Sequence, residues 1–329
     1  MTMFLKVVIL ISLAFLFLEI RANPQLAHHQ GSRANMEVLE TRLVQSSQFK
    51  YKHAVTIALP ASYRVQKNKK FSVLWVLDDP LMTRIVVSTV DLLVSSNMMP
   101  EMIVVGVGSP SAEGLSGVGR RIKELSPPGQ GFAPSGLNSA ASQKVAPFPE
   151  YPHRAEDFLS FLSDELRPLI AKEFRTSGSH ILHGHSLGGL FAGYALFTRP
   201  QLFQKMIIGS PAMANVGDAV VELEKEFAKS HSKLSVDIFI GAGGAEGNEW
   251  FLNAGGILSS TARFIERLKL RNYEGLTIKS QFYTGENHYT VAPRIVSDGP
   301  RYFFREEAKK IGSSWPSEPR PKRAPFIEP

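Results

Sequence analysis

Six residues, Gly184-His185-Ser186-Leu187-Gly188-Gly189, lie between the apolar pairs Ile181-Leu182 and Leu190-Phe191. A G-x-S-x-G run in that setting predicts a strand that ends in a tight turn from which a helix starts, a nucleophile elbow with Ser186 Oγ raised at the sheet edge. Glycines are needed there because a Cβ at the flanking positions would collide with the adjoining helix or strand. The same turn aims the Leu187 backbone N–H at a developing oxyanion.

A serine hydroxyl is a weak nucleophile until a base takes its proton. His288, in Gly285-Glu286-Asn287-His288-Tyr289 just past the last expected strand, is the candidate base. Elbow enzymes carry nucleophile, acid and histidine in that chain order. Glu246, after the glycine-rich run Ile240-Gly241-Ala242-Gly243-Gly244-Ala245, is the candidate acid, with Glu249 as the neighbouring alternative and a Ser-His dyad as another. Capping the next helix is the competing role for Glu246. His28, His29, His53, His153 and His231 lie on segments that do not lead to the elbow. His183 and His185 flank the serine too closely to act as its base, and with no carboxylate nearby they read as structural residues, not metal ligands. Acyl chemistry of this kind needs neither a metal nor an organic cofactor.

Strands and helices must alternate to bring these residues to one edge. Met36 to Val44 and Tyr51 to Leu59 read as paired antiparallel strands, and Phe71 to Leu77 and Met102 to Val107 as central parallel strands covered on both faces, joined by a helix over Thr83 to Val94. Residues 108 to 150 are rich in Gly, Ser and Pro and read as a long irregular insertion or lid. Phe158, Phe161, Leu162, Leu166, Leu169 and Ile170 recur at helical spacing, with Pro168 expected to kink or divide that helix. The elbow strand is expected to end at His183 and its helix to run from Leu187 to Phe197. Strands over Lys205 to Ile208, Leu234 to Ile240 and Leu276 to Tyr283 then alternate with helices over Asp218 to Ala228 and Phe251 to Leu270, and a last helix lies near Tyr302 to Lys310. The pattern predicts an α/β fold with a mostly parallel central sheet and helices on both faces.

The chain has 329 residues, 43% of them hydrophobic and 20% charged, which suits one large domain, here 36–312. Lys6, the apolar run Val7 to Leu18 and Ile20-Arg21-Ala22 read as a signal peptide over residues 1–22, cleaved near Ala22, because about twelve apolar residues fall short of the roughly 20 that span a bilayer. The protein is therefore expected to be exported, to the periplasm or the medium, with an uncleaved signal anchor as the alternative. Residues 23–35 read as a flexible segment and 313–329 as a disordered tail. Cysteine is absent, so disulfides, thiolate nucleophiles and cysteine-held metals are excluded. The formal charge of +7 becomes +6 once Lys6, Glu19 and Arg21 are removed, and no basic run interleaved with aromatics points to nucleic acid.

Over about Met36 to Phe304 the chain resembles the Putative esterase family, the esterase D-like α/β-hydrolases, and especially its siderophore-esterase-like branch. The resemblance is carried by Val55 to Tyr63 (VTIALPASY), Val73 to Asp78 (VLWVLD), Gly119 to Pro128 (GRRIKELSPP), Ala155 to Phe174, the GHSLGG hexamer, Gly209-Ser210-Pro211 and Glu286-Asn287-His288. It implies an α/β-hydrolase fold and a carboxylic-ester hydrolase with Ser186 as nucleophile and His288 as base. It also implies that Arg120 or Arg121, in a segment like the family's R-R-x-x-D-L-T-P, faces the substrate cleft, although Glu124 stands where that pattern has Asp. Asp79-Pro80 replaces the family's Gly after L-D, in the loop that should supply the second oxyanion N–H. Pro80 has none to give, which leaves Asp79 or Leu81. The expected partner is a small-molecule ester. Acyl transfer to an alcohol, as in mycolyltransferase relatives of this fold, is the alternative reaction, and a non-catalytic binding protein on the same scaffold the alternative class.

Overall fold

A computed structural model of the chain describes residues 36–110, 116–128, 153–213, 219–249, 252 and 256–311. The expected signal peptide, N-terminal segment and C-terminal tail lie outside these residues, as does most of the expected 108–150 insertion.

A nine-stranded sheet forms the centre, built from β1 (Glu37–Val38), β2 (Arg42–Gln45), β3 (Lys52–Leu59), β4 (Phe71–Asp79), β5 (Met102–Gly108), β6 (Thr176–His185), β7 (Lys205–Gly209), β8 (Lys233–Gly243) and β9 (Glu274–Tyr283). Their order is β1-β3-β5-β4-β6-β7-β8-β9, with β2 also on β3. β3 is antiparallel to β5 and to both short strands, and every pairing from β5 to β9 is parallel. The strand expected over Met36 to Val44 is thus two short pieces, each antiparallel to β3.

Alternation along β4 explains the two-sided core. Val73, Trp75 and Leu77 face one apolar layer and Leu74 and Val76 the other. The second layer is closed by α1 (Leu81–Ser95) and α8 (Val291–Phe303). The first is closed by α2 (Ser116–Leu125), α3 (Ala155–Ser160), α4 (Arg167–Glu173), α5 (Leu187–Thr198), α6 (Ala219–Ala228) and α7 (Ile257–Arg271). Leu187 to Phe197 are buried all round α5, as a helix with apolar residues on every side must be. This is the α/β-hydrolase architecture expected from the sequence.

Several elements depart from the expectation. α2 forms inside the stretch read as irregular; its two glycines and charged residues, GVGRRIKE, weakened the helical signal. The helix expected to kink or divide at Pro168 is divided beside it: a π-helical segment, Phe161–Leu166, intervenes before α4, which has Pro168 in its first turn, where a missing N–H costs least. β6 runs two residues beyond His183, so both His183 and His185 lie on the strand. α8 escaped the reading because Pro293, Gly299 and Pro300 interrupt it. Gly299 is nonetheless required, since a Cβ there would stand 2.9 Å from Ile207 Cγ1 of the sheet. α9 (Arg305–Ile311) follows it. Among the described residues no helix is long and apolar enough to cross a membrane.

Candidate active site

The elbow is a strained turn held by backbone contacts. Ser186 has φ 59° and ψ −116°, a region that costs a non-glycine residue on the order of 1–3 kcal/mol. Its N–H donates to Gly209 O at 2.9 Å, and its carbonyl accepts from Leu190 N at 3.0 Å and Ala212 N at 3.1 Å, so β7 and the loop after it fix the conformation. A Cβ on Gly184 would lie 2.1 Å from Gly188 O, and one on Gly189 2.9 Å from Gly209 O; both obstacles are backbone and cannot yield. Leu187 opens α5, so its N–H is one of the helix's first donors and sits at the positive end of the helix dipole.

Glu246 lies in the 3-10 turn Gly244–Asn248 directly after β8 and is fully buried. Its Oε1 accepts from Gly243 N–H at 2.7 Å and from Ser210 Oγ at 2.6 Å, while Oε2 stands 3.0 Å from His288 Nδ1. One oxygen therefore caps the turn and the other meets the histidine. Burial alone would raise the carboxyl pKa, yet the hydrogen bonds from His288, Ser210 and Gly243 outweigh it and hold the group below the usual carboxylate range. Glu249 lies at the end of the same turn, and its backbone N–H donates to Glu246 O at 3.3 Å.

The loop after β9 carries His288 and is docked onto that turn. Ala245 N–H donates to Glu286 O at 2.9 Å, and a Cβ on Gly243 would meet the same carbonyl oxygen at 2.4 Å, so only glycine permits the approach. Asn287 Oδ1 accepts from the N–H groups of Tyr289 and Thr290, both at 2.9 Å, which folds the loop into the start of α8. His185 supports it from beneath. Its Nε2 lies 2.8 Å from His288 O, and since a carbonyl only accepts, that nitrogen carries the proton. Burial, then the neighbouring His288 and His183, push the His185 pKa down to about 3. His185 is therefore a neutral prop. Its ring centroid is 4.8 Å from that of His288, and Ser186 is the next residue along the chain. With Nδ1 held by Glu246, Nε2 is the nitrogen of His288 left for chemistry.

Two of the residues that shape the site were not singled out from the sequence. In the sequence Ser210 stands out only within Gly209-Ser210-Pro211; its position just after β7, between the ends of β6 and β8, is the available signal. Asp78 is marked in the sequence only as the end of VLWVLD. It has φ 67°, and its carboxylate pairs with Arg121, Nε to Oδ1 at 2.5 Å and Nη2 to Oδ2 at 3.0 Å. A Cβ on Gly188 would stand 3.3 Å from Asp78 Oδ2, so the ion pair borders the elbow. Asp79, the candidate oxyanion donor, ends β4 beside it.

The adjacent arginines part company. Arg121 reaches Asp78, whereas Arg120 is buried, donating Nε to Glu124 Oε1 at 2.9 Å and Nη2 to Lys52 O at 2.6 Å, with its guanidinium 3.9 Å from the Tyr51 ring centroid. Among the described residues no group of three or more His, Asp or Glu could hold a metal ion.

Known proteins share this architecture. The family model described as Putative esterase matches residues 131–291. The chain is 27% identical over 217 residues to the ferri-bacillibactin esterase BesA of Bacillus subtilis, covering 64% of this chain and 69% of that one. It is 35% identical over 114 residues to the siderophore enterobactin esterase of Emericella nidulans, a match spanning 34% of this chain and 36% of its relative. An IroE-like serine hydrolase from Shewanella oneidensis superposes with a TM-score of 0.68 at 23% identity, covering 82% and 81% of the two chains, a likeness of fold. Over residues 131–291 the chain is similar to the Putative esterase family, it resembles siderophore esterases in sequence, and it is a carboxylic-ester hydrolase of α/β-hydrolase fold.

Proposed function

We propose that the protein is an exported serine esterase acting on siderophore-type esters through an acyl-enzyme, with Ser186 as nucleophile, His288 as base and Glu246 as the acid that orients it. The observation that carries the reading is the 3.0 Å contact between His288 Nδ1 and Glu246 Oε2, set beside a serine in strained elbow geometry. His288 Nε2 takes the Ser186 Oγ proton as Oγ bonds to the ester carbon. The carbonyl π electrons move to oxygen, where the N–H groups of Leu187 and Asp79 stabilise the charge. Collapse breaks the bond to the leaving alkoxide, which takes the proton from His288. Water activated by the same nitrogen then releases the acid and restores Ser186. Glu246, held ionised by its three donors, fixes the Nδ1–H tautomer throughout. Of the two arginines, Arg121 is the one at the cleft.

The siderophore class is suggested by the names of the relatives, which act on ferri-bacillibactin and enterobactin. The test is hydrolysis of a panel comprising a cyclic triester siderophore, a feruloyl ester and p-nitrophenyl acetate, by the wild type and by Ser186→Ala. Loss of all activity and of fluorophosphonate labelling in the variant is expected, with highest kcat/KM on the triester. Full activity of Ser186→Ala would overturn the serine mechanism, and preference for the feruloyl or acetyl ester would overturn the substrate class. Export is read separately: the amino terminus of protein collected outside the cytoplasm should begin at Asn23, and an intact Met1 there would refute cleavage.

A further inference from the structure

Asp78 occupies an unusual place in the sheet. β4 pairs with β5 in regular parallel register up to Leu77 opposite Val107, then resumes with Asp79 opposite Gly108, so Asp78 is an extra residue on β4. It is a β-bulge, and its φ of 67° lies in the left-handed region. A bulge re-aims the peptide that follows it, and bulges recur beside active sites for that reason. Aspartate tolerates left-handed backbone better than most residues, but only glycine adopts it freely.

Something must therefore hold Asp78 in this conformation, and Arg121 on α2 is placed to do so. Its guanidinium takes both carboxylate oxygens, Nε on Oδ1 at 2.5 Å and Nη2 on Oδ2 at 3.0 Å, a fork geometry that fixes direction as well as distance. The carboxylate is sheltered, with the Asp78 side chain 14% exposed, while the Arg121 side chain is 34% exposed. Nor is α2 free to drift. Arg120, the preceding residue, is tied to Glu124 and to Lys52 O, and Glu124 to His53 Nε2 at 3.0 Å. The cation also offsets a carboxylate that would otherwise stand uncompensated beside the first turn of α5 and oppose the charge developing on the ester oxygen.

We propose that Arg121 and Asp78 form a positioning pair that sets the direction of the Asp78–Asp79 peptide and so completes the oxyanion hole, Arg121 acting through Asp78 and not on the substrate. The inference rests on the serine mechanism proposed above and names the device that builds its second donor.

Steady-state kinetics on p-nitrophenyl acetate, a neutral ester with no anionic group for an arginine to pair with, test it. Arg121→Met is expected to lower kcat by about 10- to 100-fold, a partial loss of one oxyanion donor, with KM within about twofold. Adding Asp78→Gly removes both the need for an anchor and the bare carboxylate, so Arg121→Met/Asp78→Gly should recover most of the lost kcat. In the presence of Arg121, Asp78→Ala should cost more kcat than Asp78→Gly, a contrast that holds even if Arg121→Met fails to fold. A rise in KM alone, a change confined to melting temperature, or a double variant no better than Arg121→Met would overturn the proposal. Ser186→Ala run alongside separates the failures. If it stays active, the serine mechanism falls; if it is inactive while Arg121→Met keeps full kcat, only the positioning pair falls.

Discussion

Two buried histidines each contact a buried glutamate at 3.0 Å, and the two pairs are built differently. His288 offers Nδ1 to Glu246 Oε2, and His53 offers Nε2 to Glu124 Oε1. In the first pair the carboxylate's other oxygen is tied to a serine hydroxyl and a backbone N–H, so no second charge competes for the imidazole. In the second, Arg120 donates to the same oxygen as His53, and a neighbouring cation already balances Glu124. His53 is fully enclosed, stacked on Phe161 with centroids 4.3 Å apart, and its remaining Nδ1 has no hydrogen-bond partner. The remaining nitrogen of His288 belongs to a ring packed against His185, the residue before Ser186. A His-Glu contact is thus not a catalytic signature in itself. What separates the two is which nitrogen is engaged and what packs around the ring.

The sharpest break of the comparison removes the histidines in turn. His288→Ala is expected to lower kcat on p-nitrophenyl acetate by about 10⁴- to 10⁶-fold, as loss of the base does in serine hydrolases, with little change in melting temperature. His53→Ala should do the reverse, keeping kcat per folded molecule while lowering the melting temperature, because it empties a site among Phe49, Phe158 and Phe161. Equal kinetic losses from the two would mean that the pairs do not differ in the way described.

The carboxylates sharpen it further. Glu246→Gln turns an amide toward His288 Nδ1 and favours the wrong tautomer, for which a loss of about 10⁴-fold in kcat is the precedent among triads. Glu124→Gln leaves Arg120 buried without its counter-charge, and breaking a buried pair costs about 3–5 kcal/mol. Denaturant unfolding and single-turnover kinetics on both variants would show one effect in each column. A stable Glu124→Gln would show that Lys52 O and Tyr51 suffice for Arg120.

The sequence disclosed the His288–Glu246 contact better than the His53–Glu124 contact, and for a physical reason. Ser186, Glu246 and His288 each follow an apolar strand run, and parallel topology delivers all three strand ends to one edge, so chain order was enough to group them. Glu124 joins His53 and Arg120 across a helix that the glycines of GVGRRIKE hid, and nothing in local spacing links residue 53 to residue 124. The same blind spot left Arg120 and Arg121 interchangeable on paper. They point apart because neighbouring residues on a helix differ by about 100° in direction, which a motif does not say once the helix itself is unread. The bulge at Asp78 was likewise invisible, since an extra residue in a strand leaves no mark in an apolar run such as VLWVLD.

A smaller effect follows from buried histidines that lack a carboxylate partner altogether. His183 and His185 lie on β6 under the elbow, and burial pushes their pKa values down to about 4 and about 3, His185 being lowered further by its histidine neighbours. In the unfolded chain both should titrate near 6.5, so the fold favours their neutral forms. Their contribution to stability is present in full above pH 6.5 and is lost as pH falls toward 4, because the unfolded state takes up protons that the folded state refuses. Each adds a slope on the order of 1.4 kcal/mol per pH unit once the pH is well below 6.5. His183→Leu should therefore flatten the decline in urea stability between pH 7 and pH 5 relative to wild type, whatever it does to the value at pH 7. Parallel declines would mean that His183 is protonated in the folded protein, and that the nearby Asp78 carboxylate, which favours the charged ring, outweighs burial there.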